Sequence, residues 1–217
     1  MFTGIIEEVG VIKEVQHGHR SMQLAVSCTK VLEDVAKGDS IAVDGVCLTV
    51  VEFTSTFFRA DVMPETFAST TLSAMKPGSH VNLERAISAN GRFGGHFVSG
   101  HVDQVGEIVS IRPASNAVYV EIRTQRELLP YIMEKGSIAI DGTSLTIFAV
   151  KNDTFTISLI PATQKDSQIG RKKVGAKVNI ECDILVKYMD RLIFKRHQET
   201  LGGGLSMDIL AANGFLK

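Results

Sequence analysis

Tryptophan is absent from the 217-residue chain, proline occurs 5 times and aromatic residues make up only 6%. Few aromatics and no basic stripe argue against a barrel module that stacks bases or sugars. The 3 cysteines, Cys28, Cys47 and Cys182, are odd in number and show no CxxC spacing. That pattern excludes a disulfide framework or a zinc ribbon and points to a reducing, cytoplasmic setting. Neither charge dominates: 23 Lys and Arg stand against 24 Asp and Glu, a net charge of -1. No global field therefore draws the chain to nucleic acid or to an anionic membrane. The one compact basic cluster, Arg171-Lys172-Lys173, reads as a solvated loop. No apolar run approaches the ~20 residues needed to span a bilayer. The early acids of Met1-Phe-Thr-Gly-Ile-Ile-Glu-Glu8 do not suit a targeting peptide. A Rossmann GxGxxG, a P-loop and a GxSxG elbow are all missing.

What the chain does contain is a repeat. Ser40-Ile-Ala-Val-Asp-Gly-Val-Cys-Leu-Thr49 returns 97 residues later as Ser137-Ile-Ala-Ile-Asp-Gly-Thr-Ser-Leu-Thr146, with 7 of 10 positions identical. The same spacing carries Pro64 to Pro161 and Gly78–Glu84 to Gly175–Glu181. A spacing of 96 carries Thr3-Gly4 to Ser99-Gly100 and Val9-Gly10 to Val105-Gly106. The chain is thus two copies of one module, residues 1–97 and 98–187, followed by a tail at 188–217.

Each copy is rich in Val, Ile, Phe and Thr in short runs. Strands are expected at 4–15, 21–27, 40–44, 46–53, 56–63 and 79–85, and again at 101–112, 117–123, 137–141, 143–151, 153–160 and 176–182. Six short strands per copy suit a small closed barrel, which leaves no open edge. The fold class is therefore all-β, two tandem six-stranded barrels with a C-terminal helix. Short helices are expected at 29–38, at 124–136 with a Thr124/Glu127 capping box, and after Pro64 and Pro161. In the tail, Tyr188, Met189, Leu192, Ile193 and His197 form a helical stripe. That stripe covers either the chain's own surface or another copy. Ser206 is expected to cap a further short helix that stops at Asn213-Gly214.

Strand alternation sends Val46, Leu48 and Val50 into the first barrel and Cys47 and Thr49 outward. In the second copy Leu145 faces inward and Ser144 and Thr146 outward. An outward small polar pair, present twice, suits a duplicated ligand surface between barrels. The segment Gly91-Arg-Phe-Gly-Gly-His96-Phe-Val-Ser-Gly-His101-Val-Asp103 joins the copies. His101 and Asp103 are expected on one strand face, which allows a carboxylate–imidazole pair. No third ligand completes a metal site, and His96 reads as a linker residue packed on a barrel. The copies differ at Cys47/Ser144, Ile5/His101, Ala86/Asp183, Glu65/Ala162 and Gly38/Lys135. Two homologous pockets of unlike chemistry would follow. Asn82 and Glu84, with Asn179 and Glu181, suit polyol hydroxyls or, equally, a rim hydrogen-bond network.

These motifs resemble the riboflavin synthases, trimeric enzymes built from two lumazine-binding repeats. The resemblance rests on Met1-Phe-Thr-Gly-Ile-Ile-Glu7, Asp44-Gly-Val-Cys-Leu-Thr49, Gly94-Gly-His-Phe-Val-Ser-Gly-His-Val-Asp103, Asp141-Gly-Thr-Ser-Leu-Thr146 and Val178-Asn-Ile-Glu-Cys-Asp183 with Lys187-Tyr188. It covers the whole chain in order. It implies Greek-key barrels and a homotrimer held by the C-terminal helix. The implied reaction, the last of riboflavin biosynthesis, is a dismutation. Two molecules of 6,7-dimethyl-8-ribityllumazine exchange a four-carbon unit and leave riboflavin and 5-amino-6-ribitylaminouracil. No cofactor or metal is implied, because one substrate donates what the other accepts. The alternative is a carrier that binds lumazine or flavin without turnover. A lumazine synthase partner is a further implication.

By the same resemblance His101 and Ser144 move protons, with Cys47 and Thr49 near the other ring. Thr146 joins the catalytic groups, Asp183 polarises partners and Lys135 contacts substrate. Phe2 packs against the site. Gly4, Ile5, Ile6, Gly100 and Val102 meet the pteridine through their backbone. Leu48, Val62, Met63, Leu145, Leu159 and Ile160 complete the ring pockets. Thr66, Asn82, Glu84, Thr163, Asn179 and Glu181 hold the ribityl chains.

Overall fold

The computed structural model describes residues 1–17, 22–202, 211, 213 and 214. Twelve strands form two closed antiparallel barrels. The first holds β1 (Glu8–His17), β2 (Met22–Ser27), β3 (Ser40–Val43), β4 (Val46–Phe53), β5 (Phe57–Val62) and β6 (His80–Arg85). The second holds β7 (Gln104–Ala114), β8 (Ala117–Arg123), β9 (Ser137–Ile140), β10 (Thr143–Val150), β11 (Thr154–Leu159) and β12 (Lys177–Cys182). Around the first barrel the order is β1-β2-β5-β4-β3-β6; around the second it is the same, β7-β8-β11-β10-β9-β12. β2 is thus followed in the chain by a strand that is not its neighbour, which is Greek-key wiring. Even the bulges recur. β1 shifts register at Ile12/Glu14 and β7 at Ile108/Ser110, while β4 shifts at Val50/Glu52 and β10 at Ile147/Ala149.

Each barrel has its own core. Leu24, Ile41, Val50, Phe58 and Leu83 fill the first, and Ile108, Ile122, Ile138, Phe155 and Ile180 the second. A third, small cluster of Phe2, Ala42, Val98 and Ala139 lies apart from both. It sits where the amino-terminal segment and the linker meet, through a Phe2–Val98 bridge. Both barrels belong to one compact unit, Met1–Ile184.

The Asp44-Gly45 and Asp141-Gly142 hairpin turns, all four residues at positive φ, have the type I′ chemistry that this dipeptide favours. They abut one another. A Cβ on Gly45 would lie 2.6 Å from the Gly142 nitrogen. Around them, Asn82 Nδ2 donates to the Asp141 carbonyl (2.9 Å) and Asn179 Nδ2 donates to the Asp44 carbonyl (2.8 Å). The two barrels are locked by the same residues used in both directions.

Several local expectations are corrected. Residues 4–7 are not strand; β1 begins at Glu8. The segment at 29–38 contains a single 3-10 turn, Lys30–Leu32, and that at 124–136 one of Arg126–Tyr131. The capping box does not form, because Thr124 Oγ1 donates to Gln104 Oε1 instead. Pro130 inside that turn also removes a donor that an α-helix would need. In the first copy the turn is capped from afar: Glu8 accepts from the Thr29 and Val31 N–H groups. Pro64 and Pro161 do open helices, α1 (Pro64–Ser69) and α2 (Pro161–Asp166). The Arg171–Lys173 cluster is not simply solvated. Lys172 Nζ pairs with the fully buried Asp141 at 2.6 Å.

A second unit is Leu185–Lys217. It carries nearly all of α3 (Ile184–Gly202), whose Tyr188, Met189, Leu192 and Ile193 are exposed. The His197 side chain and Ser206 lie outside the described residues. Asn213 and Gly214 form a turn, with the Gly214 N–H on the Ala211 carbonyl.

Candidate active site

Alternation places the predicted pairs as expected. Along β4, Val46, Leu48 and Val50 are buried, Cys47 is half-buried and Thr49 exposed; along β10, Thr143, Leu145 and Ile147 are buried, Ser144 is half-buried and Thr146 exposed. Of the three cysteines only Cys47 is accessible. Cys28 lies in the first core, where burial pushes its thiol up to about 12.

Each polar pair is roofed by a glycine from the other copy's opening segment. The Cys47 N–H donates to the Gly100 carbonyl (2.8 Å), and the Ser144 N–H donates to the Gly4 carbonyl (2.7 Å). Both glycines sit at positive φ, and a Cβ on either would lie 2.6 Å from the Cys47 or Ser144 Cβ. Only glycine fits there. The swap is held by two carboxylates. Glu84 accepts from Thr3 N, Thr3 Oγ1 and Gly4 N (2.7, 2.7 and 3.0 Å). Glu181 accepts from Ser99 N, Ser99 Oγ and Gly100 N (2.6, 2.7 and 3.0 Å). Burial raises the Glu84 carboxyl, against the pull of these donors.

Asn82, Asn179, Glu84 and Glu181 are buried, and their polar atoms are engaged by the chain itself. Thr71 N donates to Asn179 Oδ1, and Gln168 N to Asn82 Oδ1. They build the rim and hold the roofing loops. Val62, Leu48, Leu145 and Leu159 likewise turn their side chains into the cores.

The expected strand at 101–103 is absent; β7 begins at Gln104. Asp103 Oδ2 accepts from the Cys182 N–H at 2.8 Å. His101 lines a cavity of about 440 Å³ together with Cys47, Thr49, Met63, Thr66, Gly100 and Val102. Asp61, Glu65, Ser69 and Thr70 also line it. The cavity is about the size a bicyclic ring with a short chain needs. Phe2 packs beside Gly100, its ring edge 2.9 Å from where a Cβ on Gly100 would be.

The matching face of the second barrel brings Ser144 and Thr146 under Gly4. Ile5 and Ile160 are exposed, and Ile6 and Thr163 half-buried. Lys135 is exposed, with its ammonium 5.4 Å from the Phe148 ring centre. It adopts φ +68, left-handed, where the first copy has Gly38 at φ +99. Asp183 is half-buried, and its charge reaches His96. That histidine was overlooked as a site residue. It is buried, with Nδ1 2.7 Å from Ser144 Oγ. The sequence signal was its place beside Gly94-Gly95, where a Cβ on Gly95 would meet the Thr3 carbonyl at 2.0 Å.

A larger hollow, about 550 Å³, lies elsewhere on the first barrel. It is walled by Arg85, which is ion-paired to Glu7 and Asp34, and by Arg92. Of the predicted groups it includes only Ile5 and the already engaged Glu84. No cluster of potential metal ligands occurs among the described residues. No described helix is long and apolar enough to cross a membrane.

Comparison with known proteins agrees with this duplicated architecture. Residues 3–86 and 99–183 each match the lumazine binding domain. A riboflavin synthase of Bacillus subtilis is 51% identical over 215 residues, covering 99% of this chain and 100% of the relative. One from Actinobacillus pleuropneumoniae is 50% identical over the same shares. One from Photobacterium phosphoreum is 44% identical over the full length of both. Among solved structures, LumP complexed with 6,7-dimethyl-8-(1'-D-ribityl) lumazine superposes with a TM-score of 0.75 at 26% identity, covering 84% of this chain and 99% of that one. LumP complexed with riboflavin gives 0.77 over the same shares. With two matched repeats and full-length relatives well above the threshold of common descent, the chain belongs to the lumazine-binding family and, within it, to the riboflavin synthases.

Proposed function

We infer that the chain catalyses the dismutation of two 6,7-dimethyl-8-ribityllumazine molecules to riboflavin and 5-amino-6-ribitylaminouracil, a four-carbon transfer. The observation that carries this reading is the pair of roofed polar faces, alike in backbone and unlike in side chains. Two copies of one substrate must play opposite roles, donor and acceptor, so two homologous pockets of different chemistry are what the reaction asks for. Each module, 1–97 and 98–187, supplies the barrel of one pocket and lends the roof of the other.

The lumazine 7-methyl group is acidic because its carbanion delocalises into the ring. On the first face, His101, Cys47 and Thr49 handle the ring held in the cavity, and Met63 and Thr66 border it. On the second, Ser144, Thr146, Lys135 and Asp183 address the other ring, with Ile5, Ile160 and Thr163 around it. Much of the acceleration comes from holding the two substrates together, so single substitutions leave substantial activity. The reaction calls for no cofactor or metal, since donor and acceptor are the same compound.

On this reading, a productive pair of rings is assembled between copies, from the first face of one and the second face of another. We assign this to a homotrimer joined through 188–217, whose exposed apolar stripe suits a helical contact. The absence of disulfides among the three cysteines suits the cytoplasm. A lumazine synthase, which makes the substrate, is a natural associate.

The test is a cofactor-free assay of purified protein with the lumazine alone. One riboflavin formed per two lumazines consumed supports the dismutation and the paired faces together. Tight binding without conversion would move the chain to the carrier reading.

A further inference from the structure

The Cys47 and Ser144 faces differ in what stands behind them. Cys47 packs on the apolar cluster of Phe2, Ala42, Val98 and Ala139. Ser144 has a histidine behind it. His96 is 93% buried, its backbone N–H donates to the Thr3 carbonyl, and its Nδ1 lies 2.7 Å from Ser144 Oγ. Its other ring nitrogen, Nε2, is buried with no hydrogen-bond partner among the described residues.

A serine beside an imidazole suggests a nucleophile–base dyad. The geometry argues otherwise. A base that takes the serine proton at Nδ1 must carry its own hydrogen on Nε2, and an acceptor must orient that hydrogen. Here Nε2 has none. A buried N–H without an acceptor is rarer and more expensive than a buried lone pair. The neutral tautomer that leaves nothing stranded as a donor carries its hydrogen on Nδ1. Burial holds this imidazole below its ordinary range, with Asp183 pulling the other way, so the ring is neutral near pH 7.

We propose that His96 is a positioning residue that donates from Nδ1 to Ser144 Oγ, so that the Ser144 hydroxyl hydrogen points out of the barrel as a donor to a carbonyl oxygen or ring nitrogen of the lumazine bound there. On this assignment Ser144 is a hydrogen-bond donor to the acceptor or donor ring and not an alkoxide nucleophile. The proposal rests on the reading that Ser144 faces substrate.

His96→Asn and His96→Ala test it in the full-length protein. The asparagine amide N–H falls near the place of Nδ1–H but cannot act as a base. The expected result is a kcat within about threefold of wild type for His96→Asn and lowered about tenfold for His96→Ala, one neutral hydrogen bond's worth. KM should change little in either, and lumazine binding, followed by its fluorescence, should persist. In a Ser144→Ala background, His96→Ala should add nothing. Equal loss in His96→Asn and His96→Ala would overturn the proposal in favour of a base. So would a wild-type kcat in a folded His96→Ala. A wild-type kcat in Ser144→Ala would instead overturn the site reading on which the proposal stands.

Discussion

The two barrels share strand order, bulge positions, roofing glycines and locking asparagines, yet the groups around these shared features are not ionised alike. Asp44 and Asp141 occupy equivalent turns at the barrel junction, and both are buried. Each accepts from the equivalent backbone donor: Asp44 Oδ1 from Asn82 N at 2.7 Å, Asp141 Oδ1 from Asn179 N at 2.8 Å. Only Asp141 has a counter-ion. Lys172 reaches it in the second copy, and Met75 stands at that place in the first. Burial, and then the neighbouring Asp141, push the Asp44 carboxyl far above the carboxylate range. Burial alone would lower Lys172, but the Asp141 and Asp44 carboxylates hold it above its ordinary value. Duplication thus kept the hydrogen-bond frame and let the charges diverge, which is how one fold can present two unlike faces. The scaffold constrains backbone donors at every position, but a side chain needs only a balanced neighbourhood.

The largest break in this comparison is Lys172→Met, which gives the second copy the first copy's residue. It strips a buried carboxylate of the cation paired with it and should cost about 3–5 kcal/mol near pH 7. Denaturant melts near pH 7 should show the deficit as a lowered midpoint. An unchanged midpoint would mean that the ion pair is incidental.

The next effect is catalytic. Ser144→Ala should lower kcat about tenfold with little change in binding, the loss of one hydrogen bond realised at the reacting ring. Cys47→Ser should be milder, because it leaves a hydroxyl in place of the thiol. Steady-state kinetics on both variants would sharpen the difference between the faces; equal losses would erase it.

Asp44→Asn comes third. The raised Asp44 carboxyl means that the folded state keeps a proton which the unfolded chain releases above about pH 4. Stability from this group is therefore full below that range and falls as the pH rises toward the raised value. An amide keeps the acceptor for Asn82 N–H and has no charge to lose. Asp44→Asn should be more stable than wild type at pH 8, and no different at pH 4. The mirror variant Asp141→Asn should destabilise at pH 8, since it strands Lys172. Opposite signs at equivalent positions are the measurable form of the divergence.

The smallest effect is at Lys135, held at a left-handed φ where its counterpart is glycine. Lys135→Gly should relieve about 1 kcal/mol of backbone strain, partly offset by the added freedom of the unfolded chain. It should also raise KM. A gain in melting temperature together with weaker binding would mark a residue kept for its side chain.

Much of this was legible in the sequence. The 97-residue spacing, the period-2 alternation through Cys47-Leu48-Thr49 and Ser144-Leu145-Thr146, and the Asp-Gly turns follow from side-chain size and backbone freedom alone. These fix the strands, the barrels and which faces are polar. The caps of the 3-10 turns were not legible, because Glu8 and Gln104 supply them across more than twenty residues. Nor was the fate of Asn82, Glu84, Asn179 and Glu181, since spacing does not tell a rim network from a ligand contact.

Tertiary structure alone decided which copy each candidate serves. Gly4 roofs Ser144 and Gly100 roofs Cys47, so His101 joins the cavity of the copy that precedes it in the chain. It decided that Lys172 is drawn down to a buried carboxylate, and that His96 stands behind Ser144. The reason is physical. Local pattern records which side of a strand is wet, because solvent acts on every residue in the same way. Partnership across two barrels depends on how closed sheets pack, and on where buried donors and charges must find one another.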